Sequence, residues 1–234
     1  MGPVGFTTGS RIVQNFRSAQ RVHRLCPGIG PRVRQHKIIK NGREGTVHSS
    51  AKKERASNLP RIDVLLEIAG IATTNFSLAE GHERTITVNM ISTFMLGLLL
   101  LPMLKETANE IPTARPYWII VSSECPNTFE PLDDQNNANM KARYPTSKLL
   151  EVLVVREIAS KLADSSVILN MLNPAGWLLW FMKLVLACTT EVGGRTLVAA
   201  ATVDNECHGA YMTDGNVNNG ALGAIATNED GEKA

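Results

Sequence analysis

The chain has 234 residues, 44% of them hydrophobic, with 24 Lys and Arg against 22 Asp and Glu. That composition fits one globular domain and excludes collagen, a coiled coil and wholesale disorder. The near-neutral total conceals a split: residues 1–62 hold 13 basic and 2 acidic side chains, and the remainder holds 11 basic and 20 acidic.

Residues 1–61 are basic and aperiodic, punctuated by Gly, Pro, Arg, His and Ser, and show no sustained period of 2 or 3.6. No charged n-region followed by an apolar h-region marks a secretory signal, although the Arg-rich, acid-free run up to Glu44 has a faint transit-peptide character. The basic charges are scattered without a helical face or interleaved aromatics, so a nucleic-acid partner is not expected. Cys26, Cys125, Cys188 and Cys207 form no CxxC pair and no metal-ligand spacing, which favours a reducing, cytoplasmic setting without a metal.

From Ile62 the pattern changes. Ile62 to Ala69 (IDVLLEIA) is an apolar run of strand length ending at Gly70, as expected of a strand buried on both faces. Glu80 to Glu106 reads as a long helix that Pro102 should kink or end. Tyr117 to Ser122 reads as a strand, leading into a polar loop from Glu124 to Asn139. Tyr144 to Leu162 reads as a helix with Leu149, Val152, Leu153 and Val155 inward and Lys148, Glu151 and Arg156 elsewhere. Val167 to Leu172 is a further strand closed by Asn173-Pro174, Val192 to Ala201 a helix, and Gly209 to Met212 a last edge strand. This alternation calls for an α/β fold, a mostly parallel sheet with helices on both faces. The expected division is an irregular part at 1–61, a core at 62–215 and a disordered tail at 216–234, the tail being rich in Asn, Gly, Ala and Glu.

Two apolar stretches, Thr93 to Leu104 and Trp177 to Cys188, are each 12 residues long, short of the roughly 20 that span a bilayer. The first is expected in the core. For the second, with six large apolar groups from Trp177 to Met182, core burial competes with a flap over a lipophilic ligand or a peripheral membrane contact. His82, His208 and Asp133-Asp134 are expected at the solvated surface.

Chemistry concentrates in four elements in order: Asn89, Ser122-Ser123 at a strand end, Tyr144-Pro145-Thr146-Ser147-Lys148 opening a helix, and Asn173-Pro174. Tyr and Lys four apart share a helix face, so the ammonium favours ionisation of the phenol. A strand-end Ser can fix the same substrate oxygen by a hydrogen bond. Such a set exchanges a proton with a carbonyl or alcohol, and the two electrons call for a nicotinamide. Taken alone, each residue also has a structural reading: a surface Tyr and Lys, a turn-closing Ser, a buried helix-bending Asn.

With IDVLLEIAG, TVN ending at Asn89, IIVSSE, YPTSK and NPAG in this order, residues 62 to about 215 resemble the short-chain dehydrogenase/reductase family. The stretch from Leu65 to Pro102 is similar to a fungal-type subgroup associated with secondary metabolites. The resemblance implies a Rossmann-like three-layer αβα fold and an oxidoreductase passing hydride between NADP, or NAD, and a small lipophilic carbonyl or alcohol. It implies Tyr144 as general acid/base, Lys148 as the group that lowers its pKa and holds the nicotinamide ribose, Ser123 (Ser122 the alternative) as substrate-orienting hydroxyl, and Asn89 as the anchor of a relay water. Thr8, Gly9, Gly70, Asn89, Tyr144, Lys148, Asn173 and Pro174 would line the cofactor, and a homodimer would pair through the helices at Glu80 to Leu104 and Tyr144 to Leu162. Excess Arg and Lys near residues 32 to 43 favours NADP over NAD.

The sequence also departs from the family. Thr8-Gly9-Ser10 begins like a phosphate-binding glycine loop, but Arg11 to Phe16 supplies no later glycine. No apolar strand precedes Thr8, and Ile68 stands where the family's NNAG-type turn has a polar side chain. The first βαβ unit is therefore expected to be incomplete, as a truncated or miscalled gene start would leave it. The alternatives are a catalytically inactive relative acting as a structural or interaction partner, and a remade phosphate site with Gly28 to Gly30, Arg32 and Arg34 as donors.

Overall fold

The computed structural model describes residues 61–111, 115–123, 139–173, 196–203, 205–213 and 215–222. Its centre is a five-stranded sheet in the order β1 (Val64–Glu67), β4 (Tyr117–Val121), β5 (Ile168–Asn173), β6 (Tyr211–Thr213), β7 (Asn216–Val217). The pairs β1–β4, β4–β5 and β5–β6 are parallel, and β7 closes antiparallel on β6. Helix α1 runs from Arg84 to Glu110 and helix α2 is Met140–Lys161.

Strand side chains alternate between two cores, the period of 2 that a pleated strand imposes. Leu65, Trp118, Ile120, Leu169, Met171 and Tyr211 pack with Leu96, Leu100 and Leu104 of α1 and Leu149, Val152 and Val155 of α2. Val64, Leu66, Ile119, Ile168, Leu172 and Met212 pack instead with Leu197, Ala200, Ala201, Cys207 and Ala210, around the helical residues 196–200. Each fully buried Leu, Ile or Val contributes about 1.5–3 kcal/mol, so the two apolar layers dominate the stability of this α/β architecture.

Several boundaries differ from the sequence reading. The segment expected to start a helix at Glu80 is a hairpin of β2 (Leu78–Ala79) and β3 (His82–Glu83). Its two turn residues, Glu80 and Gly81, have φ of 55° and 85°, the left-handed pair that a two-residue hairpin turn requires. Helix α1 begins only at Arg84, where the Glu83 carboxylate accepts from the Thr85 and Ile86 amides at 2.9 and 3.1 Å, a side-chain cap on otherwise orphaned donors.

Pro102 does not end α1, which continues to Glu110. Leu100 and Leu104, both fully buried, hold the helix against the sheet on either side of the proline, outweighing its missing hydrogen bond. By length and composition α1 could cross a membrane, yet here it buries one face against the sheet. Gly97 makes that approach close: a Cβ on it would overlap Trp118 Cζ2 and Cε2.

Helix α2 begins at Met140, so Tyr144 stands in its second turn rather than opening it, and Pro145 lies inside the helix. The strand at 211–213 is not an edge, because β7 pairs with it, and ordered structure extends past residue 215 to Leu222. His208, expected in solvent, bridges elements: Nδ1 accepts from the Leu169 amide at 3.3 Å and Nε2 lies 3.0 Å from the Ala159 carbonyl. Thr8, Gly9, Pro174, Asp133-Asp134 and the Trp177 to Cys188 run lie outside the described residues.

Candidate active site

The site lies at the carboxyl ends of the parallel strands, where open α/β sheets place ligands. Gly70 follows β1, Ser122 and Ser123 follow β4, and Asn173 ends β5. The Ser122 amide donates to Leu172 O at 2.9 Å, and the Tyr211 hydroxyl donates to Ser123 O at 2.8 Å. The backbone carrying both serines is thereby tied to two neighbouring strands.

Asn89 sits in a π-helical turn, Thr87–Ile91, inserted near the start of α1. Such turns occur disproportionately at functional sites. Its side chain is fully buried and fully used: Oδ1 accepts from the Ile71 amide at 2.8 Å, while Nδ2 donates to Ile71 O at 3.0 Å and to Ser147 Oγ at 2.9 Å. Ser147 Oγ in turn donates to Tyr144 O at 2.7 Å. The network joins the loop after β1, helix α1 and the second turn of α2, so three segments distant in sequence converge on the Tyr144 turn.

Lys148 lies one helical turn beyond Tyr144, its Nζ 5.8 Å from the centre of the Tyr144 ring. A Cβ on Gly70 would lie 3.6 Å from Asn89 Oδ1 and 3.7 Å from Lys148 Nζ, so Gly70, Asn89, Tyr144 and Lys148 form one cluster. Against the sequence expectation, Lys148 is not on the outer face of α2, and neither is Glu151: their side chains are only 4% and 1% exposed. They pair with each other, Nζ to Oε1 at 2.8 Å, and Nζ also donates to Val121 O at 3.1 Å.

Burial pushes the Glu151 carboxyl up to about 7, against the lowering effect of the Lys148 charge and hydrogen bond. The nearby Ser122 hydroxyl opposes the rise more weakly; neither its Oγ nor Glu151 Oε2 completes a hydrogen bond among the described residues. The sequence reading missed Glu151 by placing it off the buried side of the helix. Its signal was the spacing: three residues from Lys148 on a helix is the same face, so a buried Lys148 brings Glu151 inside.

The raised carboxyl has a consequence for stability. A folded-state value above the unfolded one contributes stability in full below the unfolded value of 4.5 and loses it as pH climbs through about 7. The wild-type melting temperature should therefore fall relative to that of Glu151→Gln between about pH 5 and about pH 8. Parallel melting profiles across that window would show that the carboxyl titrates normally.

The donors fit the ribose and nicotinamide side of a dinucleotide. Among the described residues two of the three Lys148 ammonium protons are spent, on Glu151 and Val121, leaving one for a hydroxyl. Gly70 keeps the floor beside it low. The residues expected to cradle the phosphates, Thr8 and Gly9, lie outside the described part.

No family model matches the chain. It is 32% identical over 255 residues to the short-chain dehydrogenase anuD of Penicillium roqueforti, covering 95% of this chain and 67% of that protein. With the short chain dehydrogenase atnD of Emericella nidulans the identity is 40% over 199 residues, 72% of this chain and 63% of the relative. The chain belongs to the short-chain dehydrogenase/reductase family. It spans about two thirds of the length of these relatives. Among solved structures, an NADPH-bound carbonyl reductase from chicken fatty liver superposes with a TM-score of 0.54 at 18% identity, over 93% of this chain and 84% of that one. That likeness concerns the fold, a Rossmann-like α/β sheet.

Proposed function

We propose that the chain is an oxidoreductase passing hydride between NADP(H) and a small lipophilic carbonyl or alcohol, in the cytoplasm and within secondary metabolism. The observation that carries this reading is the convergence of Asn89, Tyr144, Ser147 and Lys148 through the bonds of the Asn89 network and the 5.8 Å approach of Lys148 to the Tyr144 ring. Tyr144 then exchanges the proton with the substrate oxygen. Ser123 orients that oxygen, with Ser122 the alternative. Lys148 and Asn173 hold the nucleotide, which supplies the hydride when bound. NADP is preferred over NAD on the basic charge near residues 32 to 43.

The Asn89 amide is committed to Ile71 and Ser147, which supports a clamp on the Tyr144 turn in addition to the anchoring of a relay water. Met95 and Leu98, 41% and 50% exposed on α1, support a homodimer through the outer face of that helix.

A second reading, a relative that keeps the reaction half without turning over, is favoured by one observation: Arg11 to Phe16 contains no glycine after Thr8-Gly9. A titration of the purified chain with NADPH and NADH, followed by nicotinamide fluorescence, separates the two. Saturable binding is expected under the first reading; a folded chain that binds neither would leave the second.

A further inference from the structure

We propose that Glu151 is a positioning residue, whose carboxylate, together with the Val121 carbonyl, fixes the Lys148 ammonium in the Asn89–Tyr144 cluster. The inference deepens the reading of Lys148 as the cation of the site and rests on it, but its first test needs no turnover.

A lysine left alone does not keep its ammonium in a buried place. Its ammonium sits on a flexible four-carbon stem, and burial without acceptors is unfavourable enough that the chain swings to water or the charge is lost. Here the side chain is 4% exposed and the ammonium has two acceptors of different kinds. Val121 O is a backbone group at the end of β4, fixed by strand pairing with β5. Glu151 Oε1, at 2.8 Å, is the anionic partner once the carboxyl ionises and lies on the same helix. Two anchors on different elements define a position that one alone would leave to rotate.

The surroundings give Glu151 no competing task. Among the described residues Lys148 is the one charged group acting on it, and the Ser122 hydroxyl at the end of β4 also favours its charged form. Its second oxygen, Oε2, completes no hydrogen bond among the described residues. Oε1 holds the ammonium that also stands 5.8 Å from the Tyr144 ring and, like Asn89 Oδ1, within 4 Å of where a Cβ on Gly70 would lie. The remaining ammonium proton is then presented from one place.

The test is the Lys148 ammonium itself. In the full chain labelled with ¹⁵N-lysine, exposed ammonium protons exchange with water too fast to observe near neutral pH, whereas a buried, hydrogen-bonded ammonium gives a resolved signal. Loss of a signal on Lys148→Met assigns it. The signal is expected in the wild type, retained in Glu151→Asp, which keeps the charge, and lost in Glu151→Gln with an unchanged circular dichroism spectrum. A Glu151→Gln chain that keeps the signal would overturn the proposal, as would a folded wild type without one. If Glu151→Gln fails to fold, Glu151→Asp decides through the signal's proton exchange rate: faster than wild type supports positioning through the carboxylate's reach, and an unchanged rate overturns it. NADPH affinity, measured on the same samples, should weaken by about tenfold in Glu151→Gln, the scale of one charge-assisted hydrogen bond. Absence of NADPH and NADH binding in the wild type would instead count against the oxidoreductase reading, leaving the ammonium signal to decide the role of Glu151.

Discussion

Replacing Tyr144 by phenylalanine is expected to lower turnover of a carbonyl substrate by about a hundred- to ten-thousand-fold, the range for removing a general acid/base, with nucleotide affinity unchanged. The substitution deletes one oxygen. Ser147 bonds the Tyr144 backbone carbonyl rather than the phenol, so the Asn89 network persists. The ring also remains beside the Lys148 ammonium. Measuring kcat and NADPH affinity on the same preparation checks both halves. A Tyr144→Phe chain turning over at the wild-type rate would remove the phenol from the chemistry, whatever the fold.

Gly97→Ala is expected to cost about 3 kcal/mol, at the upper end for overpacking a core, or a fall in melting temperature of roughly 6–12 °C for a chain of this size. An alanine is ordinarily the better helix former by up to about 1 kcal/mol, so the sign of the effect is diagnostic. The added methyl would stand inside the Trp118 indole, and that ring has nowhere to retreat: it is fully buried, meets Phe94 edge-on with centroids 6.4 Å apart, and donates from Nε1 to Glu67 Oε2 at 2.6 Å. Combining Gly97→Ala with Trp118→Leu should recover part of the loss, because the two sites are in direct contact and their effects are not additive. A stabilised Gly97→Ala protein would show that α1 stands off from the sheet.

The parallel sheet and its two covering layers were legible because buried strands print as short apolar runs and the intervening helices as longer ones. Val64–Glu67, Tyr117–Val121 and Ile168–Asn173 fall inside or within one residue of the runs that suggested them. What escaped was set by local chemistry that carries no periodicity. The β2–β3 hairpin is two residues per strand, and its turn puts a glutamate, Glu80, in a left-handed conformation better suited to glycine or asparagine. The end of α1 was misplaced because Pro102 is a strong local signal that packing by Leu100 and Leu104 overrides.

At the site, Tyr144, Lys148 and Asn89 were visible through order and spacing. Glu151 was not, because charged residues on a helix are usually solvated and only the partner's burial shows otherwise. Trp118 with Glu67 and Gly97 was hidden for a different reason: a contact across 21 residues between a glycine and an indole leaves no local pattern.

The amide of Asn89 takes one hydrogen bond from the Ile71 N–H and returns one to its carbonyl. That reciprocal exchange is what a residue in a neighbouring antiparallel strand would offer. A single side chain thus serves as a one-residue strand, lending the loop after β1 a stretch of sheet-like order just where the backbone leaves the sheet. Connecting loops are ordinarily the mobile part of an α/β protein. Here the first turn of chain beyond β1 is fastened to helix α1, and any molecule resting against Gly70 meets a surface whose shape is set before it arrives.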